Sequence, residues 1–363
     1  MNTRALSDLI QPYIDRGELA GAVMFVGGKD GILAIEAAGW ADIEARRPMA
    51  PDSLFWIASQ SKPITAIAVM MLVEEGRLNL HDPVEKYLPE FKGLMYTAEK
   101  DDAVQILRRP VRPPSVLDLL IHTAGMPFKT LVEEPALDRL PLATAVRSYA
   151  MHPLDAEPGA ASVYSNTGFN TAGRIVEVIA DQPFEQFLAG RIFDPLGMSD
   201  TTFWPGIDPL RRLAECYRRS ETDDGLVKIQ IEQLSYPLDD VEKRFPFPAG
   251  GLFSTAADLV KLYRMMLNGG TVDGRTCLKP ETVREMIRLH VPESWSRKQA
   301  LGFVADGNSF SHGGAAGTST LAHLDSGLIL GWLVQCAGAI AEKAGAAARV
   351  AFEKAAIEQF SAK

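Results

Sequence analysis

The sequence predicts a mixed α/β fold of the α+β kind: an antiparallel sheet flanked by terminal helices, plus a mostly helical domain. Three observations point there. Residues 20–28 and 31–39, joined across Lys29-Asp30, read as a hairpin near the amino end. Residues 301–305, 309–312, 319–325 and 328–335 read as further strands near the carboxyl end, with a turn at Asp325-Ser326-Gly327. From about Asn79 to Pro248 the chain reads as a mostly helical insertion. Strands at both ends with helices between imply one sheet built from the two ends.

The elements follow in order. Leu6, Leu9, Ile10, Tyr13 and Ile14 have amphipathic helical spacing, with Pro12 a local flaw. Residues 1–10 contain no uninterrupted apolar run of the kind a secretory signal needs, so a cytoplasmic location is expected. Residues 51–58 are extended. An apolar run from Ile64 to Val73 then reads as a core helix stopped at Gly76, with Pro63 tolerated in its first turn. A turn at Glu157-Pro158-Gly159 precedes a helical pattern at Ile175, Val176, Val178 and Ile179. Residues 92–114 and 220–247 carry charges, prolines and little periodicity; as loops they are expected to shape substrate choice. Residues 337–360 are alanine-rich with apolar spacing and read as a packed terminal helix. The expected domains are 1–78 with 249–363, and 79–248, with the active site in the cleft between them.

Composition narrows the function. The chain has 363 residues, of which 47% are hydrophobic and 23% charged, in the ordinary range for a globular protein. A net charge of −9 argues against a nucleic-acid partner, which calls for basic stripes. No run reaches transmembrane length, so no membrane partner is expected. Cys216, Cys277 and Cys336 are widely spaced and form neither a disulfide framework nor a metal pattern.

Three constellations carry chemistry. Ser59-Gln60-Ser61-Lys62 lies where the extended segment meets the apolar helix. Residues at i and i+3 share a helix face, so Lys62 can reach the Ser59 hydroxyl. The unpaired N–H groups of a helix amino end suit a developing oxyanion. Alone this is weak, because about one Ser-x-x-Lys is expected by chance in such a chain. Tyr164-Ser165-Asn166 follows the turn, on what reads as an ordered loop. His312-Gly313-Gly314 opens a glycine-rich strand edge that a ligand could approach closely.

In that order the three motifs resemble the serine β-lactamase and DD-peptidase superfamily, closest to the class C β-lactamase-like esterases and penicillin-binding-protein-like hydrolases. The flanking segments Leu119-Leu-Ile-His-Thr-Ala-Gly-Met-Pro127, Asp194-Pro-Leu-Gly-Met198 and Gly250-Gly-Leu-Phe-Ser-Thr255 are similar as well. The resemblance implies that Ser59 is the nucleophile of an acyl-transfer reaction, with Lys62 and Tyr164 as candidate bases. It implies that Asn166 holds Lys62, that the Ser59 and Ala315 N–H groups form the oxyanion hole, and that His312 lies near the Tyr164 hydroxyl. Ala315 is expected on the strand after His312. No metal or organic cofactor is implied.

Two departures bear on substrate. Where β-lactamases usually carry Lys-Thr-Gly, this chain has His312-Gly313-Gly314, so a permanent charge and a hydroxyl donor are missing. Carboxylate recognition through charge-assisted bonds is weakened accordingly. The expected activity is hydrolysis of small-molecule carboxylic esters of small to medium acyl groups. The alternatives are β-lactamase or D-amino-acid peptidase activity, or acyl transfer to an alcohol or amine. The absence of a Gly-x-Ser-x-Gly elbow argues against an α/β-hydrolase.

Overall fold

In the computed structural model, which describes residues 5–222, 225–338 and 340–361, the two chain ends meet in one seven-stranded sheet. Helix α1 (Ser7–Asp15) leads into strands β1 (Gly21–Gly28), β2 (Gly31–Asp42) and β3 (Arg47–Pro48). Helices α2 (Ser61–Glu74), α3 (Asn166–Ala180) and α4 (Ala256–Leu267) follow. Strands β4 (Val304–Ala305), β5 (Ser309–Gly313), β6 (Ser319–His323) and β7 (Ile329–Leu333) then precede the terminal helix α5 (Gly345–Phe360). The sheet order is β4-β5-β6-β7-β1-β2-β3 with every pairing antiparallel. The two ends join at β7 and β1, where Val23 faces Leu333 and Gly27 faces Ile329.

Alternation sets the two faces. Ala22, Met24 and Val26 of β1 and Leu330 and Trp332 of β7 pack against Leu6 and Ile10 of α1 and Ala348, Phe352 and Ala356 of α5. Val23, Phe25, Ile329 and Leu333 point the other way, into a core shared with Leu259 and Val260 of α4 and the apolar residues of α2. A slip of one residue would exchange these sets, setting each side chain into a core shaped for the other, a mismatch of packing that typically costs about 1–3 kcal/mol. Helix α2 is buried along its whole length from Ser61 to Leu72, which is why its sequence is apolar without a polar stripe.

Several expectations are corrected. The strand read at 301–305 shrinks to Val304–Ala305, because Gly302 (φ +75) turns the chain onto α2. A Cβ there would lie 2.6 Å from that of Ala66, and the Gly302 N–H donates to Leu120 O at 3.2 Å. The stretch 92–114 folds as a hairpin, Tyr96–Lys100 with Gln105–Arg108, and Leu226–Ile229 pairs with Cys216–Arg219. Most of these hairpin residues are not buried, so burial imposes no clear alternation on their sequence. The middle segment therefore carries two hairpins beside its helices. The terminal helix begins at Gly345, after a wider π turn at Ile340–Ala344. Residues 1–4 and 362–363, the outer limits of the expected domains, and Ala339 lie outside the described residues. Among the described residues no helix is long and apolar enough to cross a membrane.

Candidate active site

Ser59 stands on a 3-10 turn, Ala58–Gln60, that runs into α2, so the helix proper starts two residues later than its sequence suggests. Ala58 is left-handed (φ +47), a conformation that costs a non-glycine residue about 1–3 kcal/mol. Hydrogen bonds hold it. The Ser61 hydroxyl donates to Ala58 O at 2.7 Å, and the Ile57 N–H donates to Leu252 O at 3.0 Å. Just upstream, Phe55 and Trp56 pair with Ser254 and Phe253, and the Trp56 indole N–H donates to Gly250 O at 2.7 Å. Trp56 is thus part of the core that seats the serine turn.

The i,i+3 relation survives the change of helix type: Lys62 Nζ lies 3.1 Å from Ser59 Oγ. The amine is wholly buried and also donates to Asn166 Oδ1 and to Ala249 O, each at 2.8 Å. Burial holds its pKa well below the ordinary lysine value. A neutral amine has two N–H bonds and one lone pair. Asn166 Oδ1 and Ala249 O accept only, so they take both hydrogens. The lone pair is left facing the Ser59 hydroxyl.

Tyr164 lies against the same pair, with Lys62 Nζ 4.7 Å from the centre of its ring. Burial raises its phenol pKa, while the Ser59 hydroxyl and the Arg297 charge draw it part of the way back. Its ring packs 4.4 Å from the His122 ring and 6.2 Å from that of Phe128, centroid to centroid. The Arg297 guanidinium lies 5.1 Å over the same ring. Tyr164 sits on the ordered stretch directly before α3: Ser165 caps the helix, its Oγ accepting the Gly168 N–H at 2.9 Å, and Asn166 is the first helical residue.

His122 locks this segment. It has φ +61, its Nδ1 accepts the Ser165 N–H at 3.1 Å, and its carbonyl accepts the Val163 N–H at 2.8 Å. Burial first, and then the cost of a positive charge beside Lys62, His312 and Arg297, hold the imidazole's pKa well below its ordinary value. His312, on β5, bonds Gly313 O through Nδ1 at 2.7 Å. Burial, with Lys62 second, pushes its pKa down to about 3, so it is neutral at ordinary pH.

The turn from β5 to β6 lies against the serine turn. Thr318 Oγ1 donates to Ile57 O at 3.4 Å and Thr320 Oγ1 to Gln60 Oε1 at 2.7 Å. A Cβ on Gly314 would sit 2.5 Å from Ile57 O and 2.3 Å from Thr318 Oγ1, which is why glycine stands there. Gly313 is exposed, and its nearest neighbour to a Cβ is Thr318 O at 3.5 Å. Ala315 is exposed in this turn and not on a strand, because β5 ends at Gly313 and Gly314 and Gly317 close the turn with their own N–H groups. Among the described residues no carbonyl takes the Ala315 N–H.

The structure thus gathers Ser59, Lys62 and Asn166 by direct bonds, sets the Tyr164 ring beside Lys62, and seats Gly314 against the serine turn. The sequence did not reveal Ala249, whose carbonyl is a third partner of Lys62, nor Arg297 or Phe128 against Tyr164. Only the neighbouring Gly250-Gly251 pair hinted at the first. One residue from Phe128, a cavity of about 620 Å³ opens, lined by Thr97, Lys100, Pro127, Leu131, His152 and Asp155 among others. Among the described residues no three His, Cys, Asp or Glu side chains cluster as metal ligands would.

Comparison with known proteins gives the family. Residues 6–354 match the family model described as Beta-lactamase. Protein Rv1367c of Mycobacterium tuberculosis (strain ATCC 25618 / H37Rv) is 36% identical over 312 residues, covering 83% of this chain and 76% of that protein. The lovastatin esterase of Penicillium rubens (strain ATCC 28089 / DSM 1075 / NRRL 1951 / Wisconsin 54-1255) is 30% identical over 305 residues, covering 80% and 74%. The solved structure of EstCE1, a hydrolase with promiscuous acyltransferase activity, superposes with a TM-score of 0.79 at 24% identity over 96% of this chain and 97% of that one, a likeness of fold. With the family model matched along nearly its whole length and a serine–lysine–tyrosine cluster at its centre, the chain belongs to the beta-lactamase family and is a serine hydrolase of that family.

Proposed function

We propose that the protein is a serine carboxylesterase that cleaves esters of small to medium acyl groups through an acyl-enzyme on Ser59. The observation that carries this reading is the partner set of Lys62, which leaves a neutral amine aimed at the serine hydroxyl. Ser59 Oγ attacks the ester carbonyl carbon as its proton passes to Lys62 Nζ. The carbonyl oxygen becomes an oxyanion, held by the Ser59 and Ala315 N–H groups; such donors each lower the barrier by about 3–4 kcal/mol. The intermediate collapses and the C–O bond to the alcohol breaks. The leaving oxygen takes the proton from Lys62 by way of the Tyr164 hydroxyl. Water then attacks the acyl-enzyme with the same base, and the acid leaves as Ser59 regains its proton.

The glycine at position 313 supports a neutral substrate, since nothing there donates to a carboxylate. A second reading, β-lactam or D-amino-acid peptide hydrolysis, draws on Arg297, whose permanent charge over Tyr164 could receive a substrate carboxylate. Side-by-side hydrolysis of p-nitrophenyl butyrate and nitrocefin, by wild type and Ser59→Ala, tests both. Ester turnover lost in the variant with little nitrocefin cleavage is the expected result. Ester turnover that survives Ser59→Ala rejects the proposal, and dominant nitrocefin cleavage favours the second reading.

A further inference from the structure

Behind Lys62 runs a line of buried polar side chains that ends on a carboxylate. Lys62 Nζ donates to Ala249 O at 2.8 Å. The Ala249 N–H donates to Asn170 Oδ1 at 3.1 Å, and Asn170 Nδ2 donates to Tyr149 Oη at 2.9 Å. The Tyr149 hydroxyl donates to Glu133 Oε1 at 2.6 Å. Glu133 Oε2 takes the Thr130 N–H at 2.7 Å and the Thr130 hydroxyl at 3.3 Å. Asn170, Tyr149 and Glu133 are each 3% exposed or less, on three different elements: α3, the helix Leu142–Tyr149 and the short turn Leu131–Glu133. None of the three touches Ser59.

We infer that Glu133, Tyr149 and Asn170 are positioning residues that fix the Ala249 carbonyl, and through it the orientation of Lys62 against Ser59. The inference rests on the proposed use of Lys62 as the base. The Ala249 N–H can only donate, so the side-chain oxygen of Asn170 faces it and the amide nitrogen faces Tyr149. The phenol oxygen receives that donor and spends its single hydrogen on Glu133. Burial and the neighbouring carboxylate push the Tyr149 pKa well up, so the phenol keeps that hydrogen. Every donor along the side-chain line points away from the lysine, and such aligned bonds polarise one another.

The far side of the same peptide is held too: the Thr65 hydroxyl, one turn along α2 from Lys62, donates to Pro248 O at 2.8 Å. Residues 248 and 249 are therefore gripped from α2 and α3 at once. A core that needed only to be filled would use apolar side chains here. A run of obligate donors and acceptors instead sets one orientation for the Ala249 carbonyl. If that carbonyl moved, a neutral Lys62 could turn an N–H toward Ser59 and lose the lone-pair alignment.

The test compares wild type, Tyr149→Phe, Asn170→Asp and Ser59→Ala. Active sites are counted by labelling with a fluorophosphonate, and kcat per labelled site, KM and the pH dependence are read with p-nitrophenyl butyrate. In Tyr149→Phe, kcat per labelled site is expected to fall about tenfold with KM within about twofold. In Asn170→Asp the acceptor for Ala249 remains but a negative charge is added near Lys62, so the acid limb of the profile is expected to move to higher pH. If both variants lose melting temperature while kcat per labelled site and the pH profile match wild type, the three residues are only packing and the inference is overturned. Wild type that fails to label at Ser59 overturns the proposed function itself, and the inference with it.

Discussion

Asn166 and Asn170, one turn apart on α3, hold the same lysine from two sides. Asn166 Oδ1 takes a hydrogen of Lys62 Nζ directly at 2.8 Å. Asn170 accepts the N–H of Ala249, whose carbonyl takes another hydrogen of Lys62, also at 2.8 Å. One helix face thus spends both hydrogens of a neutral amine and turns its lone pair to Ser59.

Activity should follow the protonation of this pair. Burial lowers Lys62 below 10.5 and raises Tyr164 above 10. The neutral amine is present above the depressed lysine pKa and the neutral phenol below the raised tyrosine pKa. The kcat/KM profile with p-nitrophenyl butyrate is therefore expected to rise through a limb well below pH 10.5 and to fall only above pH 10. A rising limb at or above 10.5 would remove Lys62 from the role of base.

Tyr164→Phe keeps the ring against His122 and Phe128 and removes only the hydroxyl. Turnover should fall about 10²-fold or more with the fold intact, judged by circular dichroism and melting temperature. A fully active variant would assign proton transfer to Lys62 alone.

Glycines 313 and 314 should respond oppositely to substitution. Gly314→Ala forces a methyl within 2.5 Å of Ile57 O, so it should destabilise the protein by about 2 kcal/mol and slow acylation in single-turnover assays. Gly313→Thr meets no close atom and restores a hydroxyl donor at the cleft. It should leave the melting temperature within about 2 °C and raise the nitrocefin-to-ester activity ratio several-fold.

Acid should weaken the fold through His312. Its ordinary pKa is 6.5 and its folded value about 3. As pH falls below 6.5 the unfolded chain takes a proton that the folded chain refuses until about pH 3, so stability is lost across that window. At pH 4 the loss is roughly 3 kcal/mol from this group. His312→Asn should flatten the fall in denaturant midpoint between pH 7 and pH 4; an unchanged slope would show that the imidazole is not held neutral.

Some of this was legible residue by residue. Strands β1 and β7 are legible as short, continuously apolar runs, because each face of the strand meets its own core. The Ser59–Lys62 relation is local, and an i,i+3 spacing works on a 3-10 turn as on an α-helix. The hairpin at 96–108 was missed because most of its residues are not buried and burial left no period in the sequence. The strand at 301–305 was overread because Gly302 bends the chain against α2, Phe303 packs onto Tyr263 and Phe310, and only Val304–Ala305 pair with a neighbouring strand.

The sequence by itself determined the sheet's two-ended plan, its main helices and the residue types that can run acyl transfer, since these depend on local spacing and side-chain chemistry. Only the tertiary structure decided their state. The Lys62 pKa is held well below its ordinary value because the packing of α2, α3 and residues 248–252 removes water from it, and two acceptors there take its hydrogens. Those groups lie about 100 to 190 residues away in the chain, and no local pattern records what surrounds a buried amine.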